Sequence, residues 1–197
     1  MRKLAIFSIV LITGISGCIR IKKDSNKATI ISQTESKPFP YIISNGRLGT
    51  ISVGDRIDST LKNLETWFVV ENDSMPSCEG CTTYTPVYQV RSKDSNQYLF
   101  SIEPGWEENN KNKLFRIRTS NQSFKTDKEI KVGMTIKDLK KAYEILKVSV
   151  EGELGIHILV KEFNGSFGIE FPNIEEWWKI KETTIPDSLR ITEIIII

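Results

Sequence analysis

Most of the reactive side chains in this sequence are few and easily placed: three cysteines and a single histidine. Two of the cysteines stand as Cys78-Glu79-Gly80-Cys81, a spacing that suits a thiol-disulfide centre, half of a zinc site or a local disulfide. Zinc takes four ligands, so with His157 the sole histidine the metal reading needs carboxylates or a partner chain. A redox centre of this kind opens a helix after a strand, whereas the flanks Asn72-Asp73-Ser74-Met75-Pro76-Ser77 and Thr82-Thr83 have the composition of a loop. In an oxidising compartment a structural disulfide is the default for Cys78 and Cys81. Closing so short a loop gains little entropy.

Other catalytic options are thin. His157 lies inside the strand-like run His157-Ile158-Leu159-Val160, and a serine or cysteine hydrolase would need it as its base. A lone histidine in a strand is more commonly a packing or surface residue. Gly165-Ser166-Phe167-Gly168 lacks the spacing of a nucleophile elbow, and no phosphate-binding or dinucleotide fingerprint occurs. Carboxylates abound without a pair marked for acid and base work. No metal and no cofactor is expected, and a binding or scaffolding module is favoured over an enzyme. The alternative is a periplasmic thiol-disulfide enzyme using Cys78 and Cys81.

Binding residues are sought among aromatics outside the strands. Trp106, in Glu103-Pro104-Gly105-Trp106-Glu107-Glu108, and the pair Trp177-Trp178, in Glu175-Glu176-Trp177-Trp178-Lys179, both fall in acidic connections. An exposed Trp is a common interface anchor, and carboxylates beside it suit a basic or sugar-bearing partner; the competing reading has these rings fold back as core cover. Trp177 and Trp178 are adjacent, so they cannot share a face.

The third cysteine, Cys18, ends an N-terminal segment with three parts: a positive start at Arg2 and Lys3, an apolar run from Leu4 to Ile12, and small residues up to Gly17. That is the layout of a secretory signal, and the apolar run is too short for a bilayer span, which takes about 20 residues. Ile15-Ser16-Gly17-Cys18 resembles the bacterial lipobox. The resemblance implies cleavage before Cys18 and diacylation of its sulfur, and two or three acyl chains anchor stably where one would not. The expectation is a lipoprotein held to a membrane of the cell envelope through Cys18. The outer membrane, facing the periplasm, is favoured if the organism is Gram-negative, because Ile19 and Arg20 lack an inner-membrane retention aspartate. Loss of Arg2 and Lys3 takes the net charge from +2 to zero, which leaves no global electrostatic reason to bind nucleic acid.

The elements that must position these residues follow from periodicity. Residues 18–45, polar from Arg20 to Lys37, read as a flexible tether. Residues 46–197 contain a repeat: Ile51-Ser52-Val53-Gly54-Asp55-Arg56-Ile57 recurs as Ile130-Lys131-Val132-Gly133-Met134-Thr135-Ile136. Asp55 and Thr135 are candidate N-caps for helices over about 57–66 and 136–146, with Ile57, Leu61 and Leu64, and Ile136, Leu139, Tyr143 and Leu146, as their apolar faces. Strands are expected at 67–71, 87–92, 97–103 and 114–119, then at 147–151, 156–163, 166–171 and 189–197, with Asn164-Gly165 a hairpin turn. The apolar run Ile194–Ile197 demands a central or covered strand. The predicted class is therefore α+β: two tandem repeats, about 46–126 and 127–197, of a helix followed by antiparallel strands, forming a sheet with helices on one face.

The Val132-Gly133-Met134-Thr135-Ile136-Lys137-Asp138-Leu139 stretch resembles the helix-opening motif of small envelope lipoproteins. These include the small lipoprotein of the barrel-assembly machine, envelope lipoproteins of unknown-function domains, and proteins like the β-lactamase inhibitory protein. That resemblance implies a binding or scaffolding role and supplies no catalytic residues; the expected partner is an envelope protein or a glycan. Asp58-Ser59-Thr60, Asp73-Ser74-Met75 and Asp187-Ser188-Leu189 each resemble a short bacterial O-glycosylation sequon. If the two tryptophan loops follow equivalent hairpins, they are expected to share one aromatic, acid-rimmed surface.

Overall fold

The structure, a computed structural model, describes residues 39–76, 82, 84–150, 155–172 and 179–197. Cys18, Cys78, Cys81, Trp177 and Trp178 lie outside these. The first described segment is already part of the fold: Phe39 is buried, stacked on Phe100 and edge-on to Phe68. Three short strands follow, β1 (Ile42–Ser44), β2 (Arg47–Leu48) and β3 (Ile51–Ser52). The stretch expected to be tether up to residue 45 therefore ends earlier, because Phe39 and Ile43 are needed in the core.

Helix α1 (Ile57–Trp67) buries Ile57, Thr60 and Leu64. Its N-cap is Arg56, whose side chain makes no capping bond; the expected cap, Asp55, instead accepts the amide of Ser52 at 2.8 Å. At the other end Lys93 Nζ donates to the carbonyls of Glu65 and Thr66 at 2.9 Å, placing a cation on the negative end of the helix. The chain then turns directly into β4 (Phe68–Pro76), β5 (Tyr84–Ser92), β6 (Tyr98–Pro104) and β7 (Leu114–Thr119).

After the short strand β8 (Lys125–Thr126) comes α2 (Ile136–Ala142), opened by a reciprocal capping box between Thr135 and Asp138. It is shorter than the periodicity suggested. Tyr143 is already extended, and Leu146 is 58% exposed in the next strand rather than on a helix face. Strands β9 (Ile145–Val150), β10 (Ile156–Val160), β11 (Gly165–Ile169) and β12 (Ile191–Ile196) complete the chain.

The predicted class is overturned. Among the described residues there are twelve strands and two short helices, and the strands form two sheets rather than one: a four-stranded sheet ordered β3-β2-β1-β8 and an eight-stranded sheet ordered β4-β5-β6-β7-β12-β11-β10-β9. The protein is mostly β, not an α+β tandem of helix-plus-strand repeats. The small sheet was invisible to pattern because its strands run for two or three residues, too few for alternation to show. Every neighbour in the large sheet is antiparallel, and β1 with β8 is the one parallel pair among the described strands. Strand β12 is central, between β7 and β11, and its Ile191, Ile194 and Ile196 join the core with Phe100, Ile117 and Phe167.

The hairpin between β10 and β11 is not a two-residue Asn-Gly turn. Glu162 takes the left-handed conformation (φ +67°), and Gly165 is required because a Cβ there would collide with the carbonyl of Ile195 on β12.

Candidate functional site

Strand direction fixes where the tryptophan loops leave the large sheet. The β6–β7 register (Pro104 opposite Leu114) and the β7–β12 register (Ile196 opposite Ile117) put residues 105–113 at one end. Pairing of Ile169 with Ile191 puts the β11–β12 connection at the other. The β6–β7 connection that carries Trp106 and the β11–β12 connection thus leave the sheet at opposite ends, because adjacent antiparallel strands alternate direction; Trp177 and Trp178, expected to share a surface with Trp106, lie outside the described residues. Among the expected binding residues, Trp106 is the one within the described structure.

Its loop is a built feature. Gly105 donates its amide to the Lys113 carbonyl at 3.0 Å, Asn110 and Lys111 both donate to the Glu107 carbonyl, and Lys113 donates to Asn110. The Asn110 side chain closes the turn by accepting the Glu107 amide at 3.0 Å, and a Cβ at position 105 would run into it. The far end of the loop is tied to α1, whose Ile57 amide donates to the Asn112 carbonyl at 2.9 Å. A β-bulge between Glu103 and Pro104 adds a further device. The residue it inserts opposite, Phe115, carries the Trp106 ring edge-on at 4.5 Å between centroids, with the Arg116 guanidinium 5.5 Å from the Phe115 ring.

Held in this way, Trp106 is 62% exposed, and so is Tyr84 at the start of β5. The two aromatics line one open cleft of about 300 Å³ together with Thr85, Pro86, Pro104 and Lys111. Lys111, in the cleft wall, is ion-paired with Glu108 at 2.6 Å. Pattern reasoning missed Tyr84, since Pro86 demoted the start of the strand. The distal part of the β4–β5 hairpin extends beyond β6, whose pairing with β5 begins at Tyr88 and Ile102, and this overhang makes one wall of the cleft.

His157 is buried on β10, opposite Ser149 on one side and Gly168 on the other. A Cβ on Gly168 would be in ordinary contact with its ring, at 3.6 Å, and would press more closely on Glu193 Cβ, at 3.2 Å. Among the described residues no group of three or more His, Cys, Asp or Glu side chains could hold a metal ion, and no helix is long and apolar enough to cross a membrane.

No family model matches the chain, and no curated protein matches it. Among solved structures it is similar to the crystal structure of the uncharacterized protein yfeY from Escherichia coli. The two share 12% identity with a TM-score of 0.53, over 77% of this chain and 94% of that one. At that identity the likeness speaks for the fold alone.

Proposed function

We propose that this protein is a lipid-anchored envelope protein whose folded part is a binding module, with the Tyr84–Trp106 cleft as its contact site. The anchoring half rests on the signal layout and on Ile15-Ser16-Gly17-Cys18. The binding half rests on one observation: a tryptophan kept 62% exposed by a loop whose turn, bulge and helix contact all serve to hold it there. Leaving so large an apolar ring in water forgoes a burial gain of about 1.5–3 kcal/mol, and a preorganised aromatic regains it when a partner covers it. In a Gram-negative cell the anchor would lie in the outer membrane with the module in the periplasm.

Two measurements test the two halves. Intact mass of membrane-extracted protein is expected to show a chain starting at acylated Cys18, and Cys18→Ser is expected to leave the membrane fraction; an unmodified Cys18 refutes the anchor. A photo-crosslinking side chain at position 106 in living cells is expected to capture an envelope component that the same probe at Lys62, exposed on α1, does not. Equal labelling from both positions refutes the contact site.

A further inference from the structure

The cleft has an orientation and a chemistry that narrow its ligand. The described chain enters the fold at Phe39, which lines a second cleft with Trp67, Phe68, Ser92 and Lys93. Ser92 is the last residue of β5 and Tyr84 the first. The eight residue steps from Ser92 to Tyr84 therefore separate Phe39 from the aromatic cleft by about 27 Å at ~3.4 Å per residue. The cleft is at the far end of β5 from Phe39.

The surroundings disfavour a protein partner. A stable protein interface covers about 800 Å² on each side with an apolar centre. Here the exposed large apolar side chains at the cleft are Tyr84 and Trp106, and next to them in sequence or space are the charged Glu107, Glu108, Lys111 and Lys113. Two exposed rings in a small open cleft with a charged, hydrogen-bonding rim match a pyranose. A sugar presents axial C–H bonds to an aromatic ring and hydroxyls around its edge, so rings take the flat faces and the Lys111 ammonium with its paired Glu108 carboxylate takes the hydroxyls. Pro86 and Pro104 add apolar walls without demanding hydrogen bonds of their own.

Resting on the binding reading above, we propose that the Tyr84–Trp106 cleft binds the glycan strands of the cell wall.

The test uses the full mature chain made soluble by Cys18→Ser and measures its sedimentation with purified peptidoglycan sacculi, with lipopolysaccharide vesicles as a second arm. Saturable co-sedimentation with sacculi is expected, weakened at least tenfold by Trp106→Ala and by Tyr84→Ala, largely retained by Trp106→Phe, and unchanged by Lys141→Ala on α2. Unfolding curves of each variant separate a lost contact from a lost fold. No saturable binding to sacculi, binding confined to the vesicles, or alanine variants that bind like the parent would each overturn the glycan assignment. A protein crosslinked at position 106 with no binding to sacculi would overturn the glycan and leave the contact site standing. Failure of both experiments would remove both.

Discussion

Gly54 and Gly133 hold the same backbone conformation, φ +93° and +91°, and each donates its amide to the first residue of a strand, Leu114 at 2.7 Å and Ile191 at 2.8 Å. Those strand residues answer with their own amides to the carbonyls of Asp55 and Met134. The recurring Val-Gly motif thus encodes one local device used twice, a left-handed turn that ties the start of a helix to the start of a sheet strand. Left-handed backbone costs a residue with a Cβ about 1–2 kcal/mol. At Gly54 the added methyl would meet nothing within 4 Å, so Gly54→Ala is expected to lose that amount through the backbone alone. Gly133→Ala is expected to lose somewhat more, because its Cβ would press Gln122 Nε2 at 3.3 Å. Urea unfolding of both variants checks this, and parent-like midpoints would show that the turns are not strained.

The two helices differ in how their first turns are closed, and this gives opposite expectations for two substitutions. Thr135 caps α2 with its hydroxyl, whereas Arg56 offers α1 no acceptor. Thr135→Ala is expected to destabilise by about 1 kcal/mol, and Arg56→Ser to stabilise by about 0.5–1 kcal/mol. Thermal unfolding measures both, and a destabilised Arg56→Ser would mean that the arginine serves α1 in some other way.

Much of this was legible beforehand. Alternation in Phe115-Arg116-Ile117-Arg118 marked β7, the isoleucine run marked a central strand, and the Thr135 cap was readable from type and spacing. What stayed hidden depended on partners distant in sequence. Gly165 is required by Ile195, thirty positions later. Phe115 reaches Trp106 only because a bulge inserts a residue, and β1 to β3 are too short to carry a period. The α+β assignment failed for the same reason, since helix signals are local and strong while strands of two or three residues leave none. Trp106 was found as a residue type in a loop, but its companion Tyr84 was hidden behind Pro86.

The capping box also predicts a pH response. Asp138 has its carboxyl held below the usual range, first by the Thr135 hydroxyl, then by the Thr135 amide and by Lys141. A carboxylate with a depressed folded-state pKa contributes stability that is fully present above its unfolded value of about 3.9 and is lost as pH falls through the lower folded value. The stability gap between the parent and Asp138→Asn is therefore expected to be constant at neutral pH and to shrink on acidification below about pH 4. A gap that stays the same down to acid pH would show that the carboxylate form is not what the cap uses.

Arg118 supplies the polar link across the middle of the large sheet, and Glu103 holds it there. Glu103, 15% exposed at its side chain, lies 3.3 Å from Arg116 and 2.9 Å from Arg118 along β6 and β7, while Arg118 also reaches Glu193 on β12 at 3.4 Å. A carboxylate this enclosed between two guanidiniums is neither a surface pair of negligible worth nor a fully buried one. Its removal leaves two like charges facing each other on β7. Glu103→Gln is expected to cost about 1.5–3 kcal/mol, the range of hydrogen bonds to charged groups. Replacing Arg118 as well, by Met, is expected to recover part of that loss, since the carboxamide is then spared a partner that needs negative charge. A double-mutant cycle on chemical denaturation gives the coupling directly. A coupling near zero would mean that the β6–β7 contact is held there by Ile102 and Ile117 alone, and that the charged ladder beside them is only its solvated face.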